Sequence, residues 1–210
     1  MDTATFRAWI TEADRLVGVE ADHLTALDAA IGDADHGLNL RRGFQAAVAA
    51  LDKAPPATPG AVLATVGRSL ISKTGGASGP LYGTAFRQAA KVLGEDPDVS
   101  PVQLGAALQA AVAGIRQLGG AQDGDKTMVD ALGPAVTAYQ GAVDGGGDLP
   151  EATRAAADAA ARGAEATIPM LARKGRASYL GERTIGHEDP GAESTTLILR
   201  ALATVTAGEG

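Results

Sequence analysis

Across residues 6–31 the apolar positions Phe6, Trp9, Ile10, Ala13, Leu16, Val17, Leu24, Leu27 and Ile31 recur at three- and four-residue spacings. That is the period of one face of an α-helix, and it predicts a single long amphipathic helix that stops near Gly32. The same period predicts seven more helices, at about 39–53, 60–71, 81–93, 100–118, 127–143, 148–172 and 192–207. Ser100-Pro101 and Asp148 with Pro150 supply caps and first-turn prolines, while Pro55-Pro56 and Gly119-Gly120 are breakers. Gly133-Pro134 is expected to bend or break the sixth helix, and 195–199 is the one stretch that could also read as a strand. Eight helices with mostly short connections predict an all-α bundle forming one domain over residues 1–210.

Composition narrows the chemistry. The 210 residues are 45% hydrophobic but only 3% aromatic, so the core must come from Leu, Val and closely approaching Ala. With no Cys, a thiolate nucleophile, a disulfide scaffold and a Cys-ligated metal are excluded, and any metal must take oxygen or nitrogen ligands. A net charge of -7, from 18 basic against 25 acidic residues, with few stacking rings, argues against a nucleic-acid partner. No apolar run approaches the ~18 residues that span a bilayer, and residues 1–10 do not read as a secretion leader; a cytoplasmic location without membrane contact is expected.

Four connections are too rich in Gly, Asp and other polar groups to be plain connectors: 32–39, 74–80, 119–126 and 173–191. If the helices alternate up and down, all four lie at one end of the bundle and form a composite site. The first carries Asp28, Asp33 and Asp35, three carboxylates suited to Mg²⁺, although a solvated acidic turn has the same composition. Asp close to a helix C-terminus is unfavourable without a cation, which favours the metal. The Gly-rich 74–80 segment precedes a helix and could cradle phosphate with its amides, or be a flexible turn. Neither it nor 119–127 has the order of a Walker A loop, since Lys73 precedes the glycines and Asp125 separates Gly124 from Lys126. Residues 173–183 hold a basic cluster that would suit a phosphate ester or a solvated surface. His36 and His187, flanked by Gly and acidic residues, are candidates to donate a hydrogen bond to phosphate or to hold a ligand, and His23 is expected to be structural.

Taken in order, Ile31-Gly32-Asp33-Ala34-Asp35-His36-Gly37 with Asp28, then Gly75-Gly76-Ala77-Ser78-Gly79-Pro80-Leu81-Tyr82-Gly83, then Gly124-Asp125-Lys126-Thr127-Met128, then Gly175-Arg176-Ala177-Ser178-Tyr179-Leu180-Gly181-Glu182-Arg183 with Gly186-His187 and Asp189-Pro190-Gly191, resemble the L subunit of dihydroxyacetone kinases. The resemblance implies a barrel of eight antiparallel helices with a nucleotide, ADP or ATP, and two Mg²⁺ at one end. It places Asp28, Asp33 and Asp35 on the metals, and His36, Gly37, Leu38, Asn39, Ala77 and Ser78 on phosphate. Gly119, Met128, Arg176, Asp189, Pro190 and Gly191 then surround the rest of the nucleotide, and no catalytic residue is implied beyond these ligands. Ala34 departs from the Gly often found in the family and is harmless only if its φ is negative.

The same resemblance implies two partners: a K subunit that holds the ketone on a histidine, and a phosphohistidine protein that rephosphorylates tightly held ADP in place. A transcriptional regulator and a homodimer are further associations to be expected of such a chain. Because no K domain is fused within these 210 residues, the phosphotransferase-dependent bacterial form is expected. The alternatives are a free-ATP-dependent kinase subunit for another small ketose, and a nucleotide-sensing module that binds a transcription factor.

Overall fold

A computed structural model describes residues 1–208, and among them there are helices and no strands. The α-helices are α1 (Thr3–Val19), α2 (Ala21–Ile31), α3 (His36–Lys53), α4 (Pro59–Lys73), α5 (Ser78–Leu93), α6 (Pro101–Gly119), α7 (Met128–Asp144), α8 (Leu149–Ala166) and α9 (Pro190–Ala207). A 3-10 segment, Arg176–Thr184, lies between the last two. The all-α expectation holds, with nine α-helices in place of eight.

The extra helix arises because the 6–31 stretch is broken. Glu20 leaves helical geometry with ψ near 8° and serves as both the end of α1 and the start of α2. The apolar series itself has a gap between Val17 and Leu24, and Val19 in that gap is exposed, so no continuous stripe holds one straight rod. The break lets α1 pack on α9, α3 and α4 while α2 turns to α3 and α9.

Elsewhere the ends move. The helices expected to start at 39, 81 and 192 begin earlier, at His36, Ser78 and Pro190. The helix expected to reach 172 stops at Ala166, where the Thr167 hydroxyl donates to the Ala164 carbonyl at 2.6 Å. Pro134 does not break α7, which is unbroken from Met128 to Asp144, and the Gly133 carbonyl next to it accepts from the Thr137 hydroxyl. Residues 195–199, the ambiguous stretch, are buried inside α9.

Each helix from α3 onward packs on the next, and α9 closes against α1. The core bears out the composition argument. Trp9 sits 5.8 Å from Phe86, which meets Phe44 at 6.3 Å, and apart from Phe6, Tyr82, Tyr139 and Met128 the remainder is Leu, Val, Ile and Ala. At the α7–α8 contact Gly163 lies against the Asp130 carbonyl so closely that a Cβ would overlap it. Small residues there replace side-chain interdigitation with close backbone approach. No helix of the described residues is long and apolar enough to cross a membrane.

Candidate functional site

Four connections, α2–α3, α4–α5, α6–α7 and α8–α9, line one cavity of about 490 Å³. This is the size of a pocket for a small organic ligand. The first residues of four helices line it: His36 of α3, Ser78 of α5, Met128 of α7 and Pro190 of α9. A helix N-terminus presents unpaired N–H groups and the positive end of the helix dipole, so four at one cavity make a strongly anion-favouring end. Thr127 and Asp189 cap α7 and α9 with their side chains, whereas the residues that precede α3 and α5, Asp35 and Ala77, make no such bond. A wider groove of about 1570 Å³ runs between α6, α7 and α8, but none of those four residues lines it.

The acidic side of the cavity is built by a sharp corner after α2. Asp28, on the last turn of α2, is buried and accepts hydrogen bonds from the amides of Asp35 (2.9 Å) and His36 (3.2 Å). The chain must therefore curl back over its own carboxylate. Gly32 makes room for this, since a Cβ there would collide with the Asp28 carboxylate. Ala34 has φ of 61°, the left-handed region, so the condition under which it would be harmless is not met. The result brings oxygens of Asp28, Asp33 and Asp35 within 4.8 Å of one another. Three carboxylates this close repel unless a cation lies between them, and an all-oxygen set fits a hard divalent ion such as Mg²⁺. Arg176 faces the cluster, with its Nε 3.1 Å from Asp33 Oδ2.

Beneath the cavity lies a neutral polar network. The Tyr82 hydroxyl of α5 donates to the Gly191 carbonyl at 3.0 Å and hydrogen-bonds Ser194 Oγ at 2.7 Å and Thr195 Oγ1 at 2.8 Å. Ser194 in turn meets His36 Nε2 at 2.9 Å, so α3, α5 and α9 are tied at their N-termini. Burial lowers the His36 pKa, with Asp28 and Asp35 pulling it back up. Burial raises that of Tyr82, and the Ser194 and Thr195 hydroxyls oppose the rise. Asp189 is buried at the start of α9, where it accepts from the Ala192 amide at 2.8 Å. Burial pushes its carboxyl up to about 7; the Ala192 amide and Lys126 oppose this, and Asp130 adds to it.

Of the residues expected from sequence, Asp28, Asp33, Asp35, His36, Ala77, Ser78, Gly119, Met128, Arg176, Asp189, Pro190 and Gly191 all line the cavity. Gly37, Leu38 and Asn39 do not. Gly37 is packed against the Ala21 carbonyl, Leu38 is exposed, and Asn39 Oδ1 accepts from Arg42 at 2.7 Å. His187 has an exposed side chain outside the cavity, and His23 is exposed on α2. Sequence reasoning misses Tyr82, Ser194 and Lys126 as site-building residues. The first two are silent in sequence because their partners lie on other helices. Lys126 is visible there as a member of the Gly124–Met128 motif and as a lysine in the wrong order for a phosphate loop, with no role attached to it.

Residues 30–204 match the DAK2 domain. The chain is 42% identical over 195 residues to the ADP-binding subunit DhaL of the PEP-dependent dihydroxyacetone kinase of Escherichia coli (strain K12), covering 93% of each. It is 36% identical over 199 residues to the ADP-binding subunit DhaL of the PTS-dependent dihydroxyacetone kinase of Lactococcus lactis subsp. lactis (strain IL1403), covering 95% of each. It is also similar to the dihydroxyacetone kinase of C. freundii solved in complex with AMP-PNP and Mg²⁺, with a TM-score of 0.73 and 28% identity, over 96% of this chain and 34% of that one.

Proposed function

The chain belongs to the DAK2-domain family, and from that premise we propose that it is the nucleotide-binding, phosphoryl-transferring subunit of a dihydroxyacetone kinase. In this reading it holds ADP or ATP with two Mg²⁺, receives phosphate from a phosphohistidine protein of the phosphotransferase system, and delivers it to dihydroxyacetone on a K subunit. The observation that carries it is the meeting of four helix N-termini and three carboxylates at one cavity. A polyphosphate needs both, since its oxygens are answered by amides and by metal, and the metal by carboxylates. The names of the E. coli and L. lactis relatives, and the nucleotide and Mg²⁺ in the C. freundii complex, support it.

Each residue then has a task that follows from its place. Asp28, Asp33 and Asp35 would hold the metal ions, whose chemistry when bound is to neutralise phosphate charge and align the transfer. Asp28 is pre-set for this by the two amides that fix its rotamer. The starts of α3 and α5, with His36, Ala77 and Ser78, face phosphate oxygens. The reading also gives Gly37, Leu38 and Asn39 to phosphate; the first turn of α3 leaves the amides of Gly37 and Leu38 for that role, while the Asn39 amide donates to the Asp35 carbonyl at 2.9 Å. Gly119, Met128, Asp189, Pro190 and Gly191 form the wall for the remainder of the nucleotide. Arg176 is free to exchange its contact with Asp33 for phosphate when the metals neutralise the carboxylates.

The test is to purify the chain without added nucleotide, denature it and identify what is released. About one equivalent of ADP that survives dialysis with Mg²⁺ and leaves with chelator supports a resident coenzyme recharged in place. An empty chain that binds ATP reversibly favours the ATP-exchanging kinase, and a chain that binds no nucleotide rejects the reading.

A further inference from the structure

A lysine next to a glycine-rich turn and a polyphosphate cavity would ordinarily be assigned to phosphate. Lys126 is committed elsewhere. It is almost fully buried, with 1% of its surface exposed, and its ammonium donates to the carbonyls of Thr167 (2.8 Å), Thr184 (2.8 Å) and His187, with Met170 (3.2 Å) and Ile168 (3.4 Å) completing a ring. An ammonium has three N–H groups, so five oxygens surround it as they would a metal ion. No carboxylate forms an ion pair with it among the described residues. Its backbone is held at φ of 61°, uncommon for a residue with a side chain.

The five oxygens come from two short pieces of chain. Thr167, Ile168 and Met170 form the turn that leaves α8; Thr184 ends the 3-10 segment, and His187 follows it on the way to α9. Between these two feet runs a strap carrying Arg173, Lys174, Arg176 and Arg183, and its Lys174 and Arg176 line the cavity. Neighbouring bonds close the same base: the Gly186 amide donates to the Ile168 carbonyl, the Ala172 amide to Thr184 Oγ1, and the Arg173 amide to the Asp125 carbonyl. A strap bearing four cations would otherwise be repelled by a further buried cation, and here that cation is solvated by the strap's own carbonyls.

We propose that Lys126 is a positioning residue that ties the two feet of the strap together and so holds Arg176 over the cavity. What the strap covers rests on the nucleotide reading above; the tie itself does not.

Lys126→Gly tests it, because Gly accepts the backbone angle and leaves a carbonyl-lined space that a small monovalent cation can enter. Trypsin is expected to cut the strap about tenfold faster than in the unsubstituted chain, and bound Mg²⁺–ADP to leave about tenfold faster. Ammonium chloride should restore both, and tetramethylammonium chloride at the same concentration neither. Lys126→Met, which fills the space without charge, should loosen the strap equally and ignore ammonium. Unchanged strap cleavage in both variants overturns the tie. Lost ADP with an intact strap overturns it too, making Lys126 a phosphate ligand. Should neither variant fold, the unsubstituted chain decides: the ¹⁵N-labelled Lys126 ammonium should give a slowly exchanging NMR signal that stays put when Mg²⁺–ADP is added, and a large shift sinks the proposal. An unsubstituted chain that retains no ADP breaks the nucleotide reading alone, since cleavage and the ammonium signal still report on the tie.

Discussion

At the α2–α3 corner three carboxylates crowd within 4.8 Å and meet Arg176 on one side only, whereas at the foot of the α8–α9 connection one buried ammonium is enclosed by five carbonyl oxygens. The first corner is charged and incompletely answered by the protein; the second has its charge met from within. Buried or crowded charge is costly until it is compensated, so an uncompensated cluster marks where a ligand's charge belongs, and a compensated one marks architecture. Both border the same cavity.

The sharpest way to break this comparison is Asp33→Asn. Removing one of the crowded charges should relieve repulsion and leave the metal-free helical fold intact or slightly firmer, while Mg²⁺-dependent ADP retention falls by on the order of a hundredfold, the upper range for perturbing a metal's surroundings. Circular dichroism and ADP release rates read the two effects separately, and retention at the unsubstituted level would remove Asp33 from the ligand set.

Asp189 lines the same cavity and should register in pH. Its folded carboxyl titrates near 7 against an ordinary value of 3.8. Between those values the folded chain keeps on this group a proton that the unfolded chain has released, so the contribution of Asp189 to stability falls as pH rises from about 4 to about 7. The loss from this group over that whole window should be on the order of 4 kcal/mol. Urea unfolding at pH 4.5 and 7.5 measures it, and Asp189→Asn should flatten this difference.

Arg176→Ala should speed ADP release about tenfold, the worth of one charge-assisted contact, without altering the unfolding midpoint. Normal turnover at full occupancy would remove Arg176 from the site. The smallest effect is expected from Ala34→Gly. Relief of a left-handed alanine, offset by the greater freedom of glycine when unfolded, should raise stability by about 0.5 kcal/mol, read as a higher urea midpoint.

Much of the site is legible in the amino-acid sequence, because its chemistry is carried by Asp, Gly and Arg in connections, where polar residues stand out against the helical period. The ordered cluster Asp28, Asp33 and Asp35 is local, and the corner that gathers it spans only eight residues. What stays hidden depends on distant parts of the chain. Tyr82 reads as an apolar helix position until Ser194 arrives from α9, more than a hundred residues away. The split at Glu20 is disguised because apolar spacing on both sides still fits a helix period, and only the gap at Gly18 to His23 hints at a change of direction. The end of α8 at Ala166 escapes notice because Ala-rich periodicity runs past the point where Lys126 gathers the following carbonyls.

The closure of α9 against α1 also sets an order of events during synthesis. Trp9 donates its indole N–H to the Ile198 carbonyl, a bond between residues 189 apart, and α9 brings Asp189, Pro190 and Gly191 to the cavity. Contacts of such sequence separation form only after most of the chain exists. A nascent chain still lacking α9 thus has the acidic corner but not the wall that Asp189, Pro190 and Gly191 supply, so the cavity is enclosed only once α9 has been made and docked.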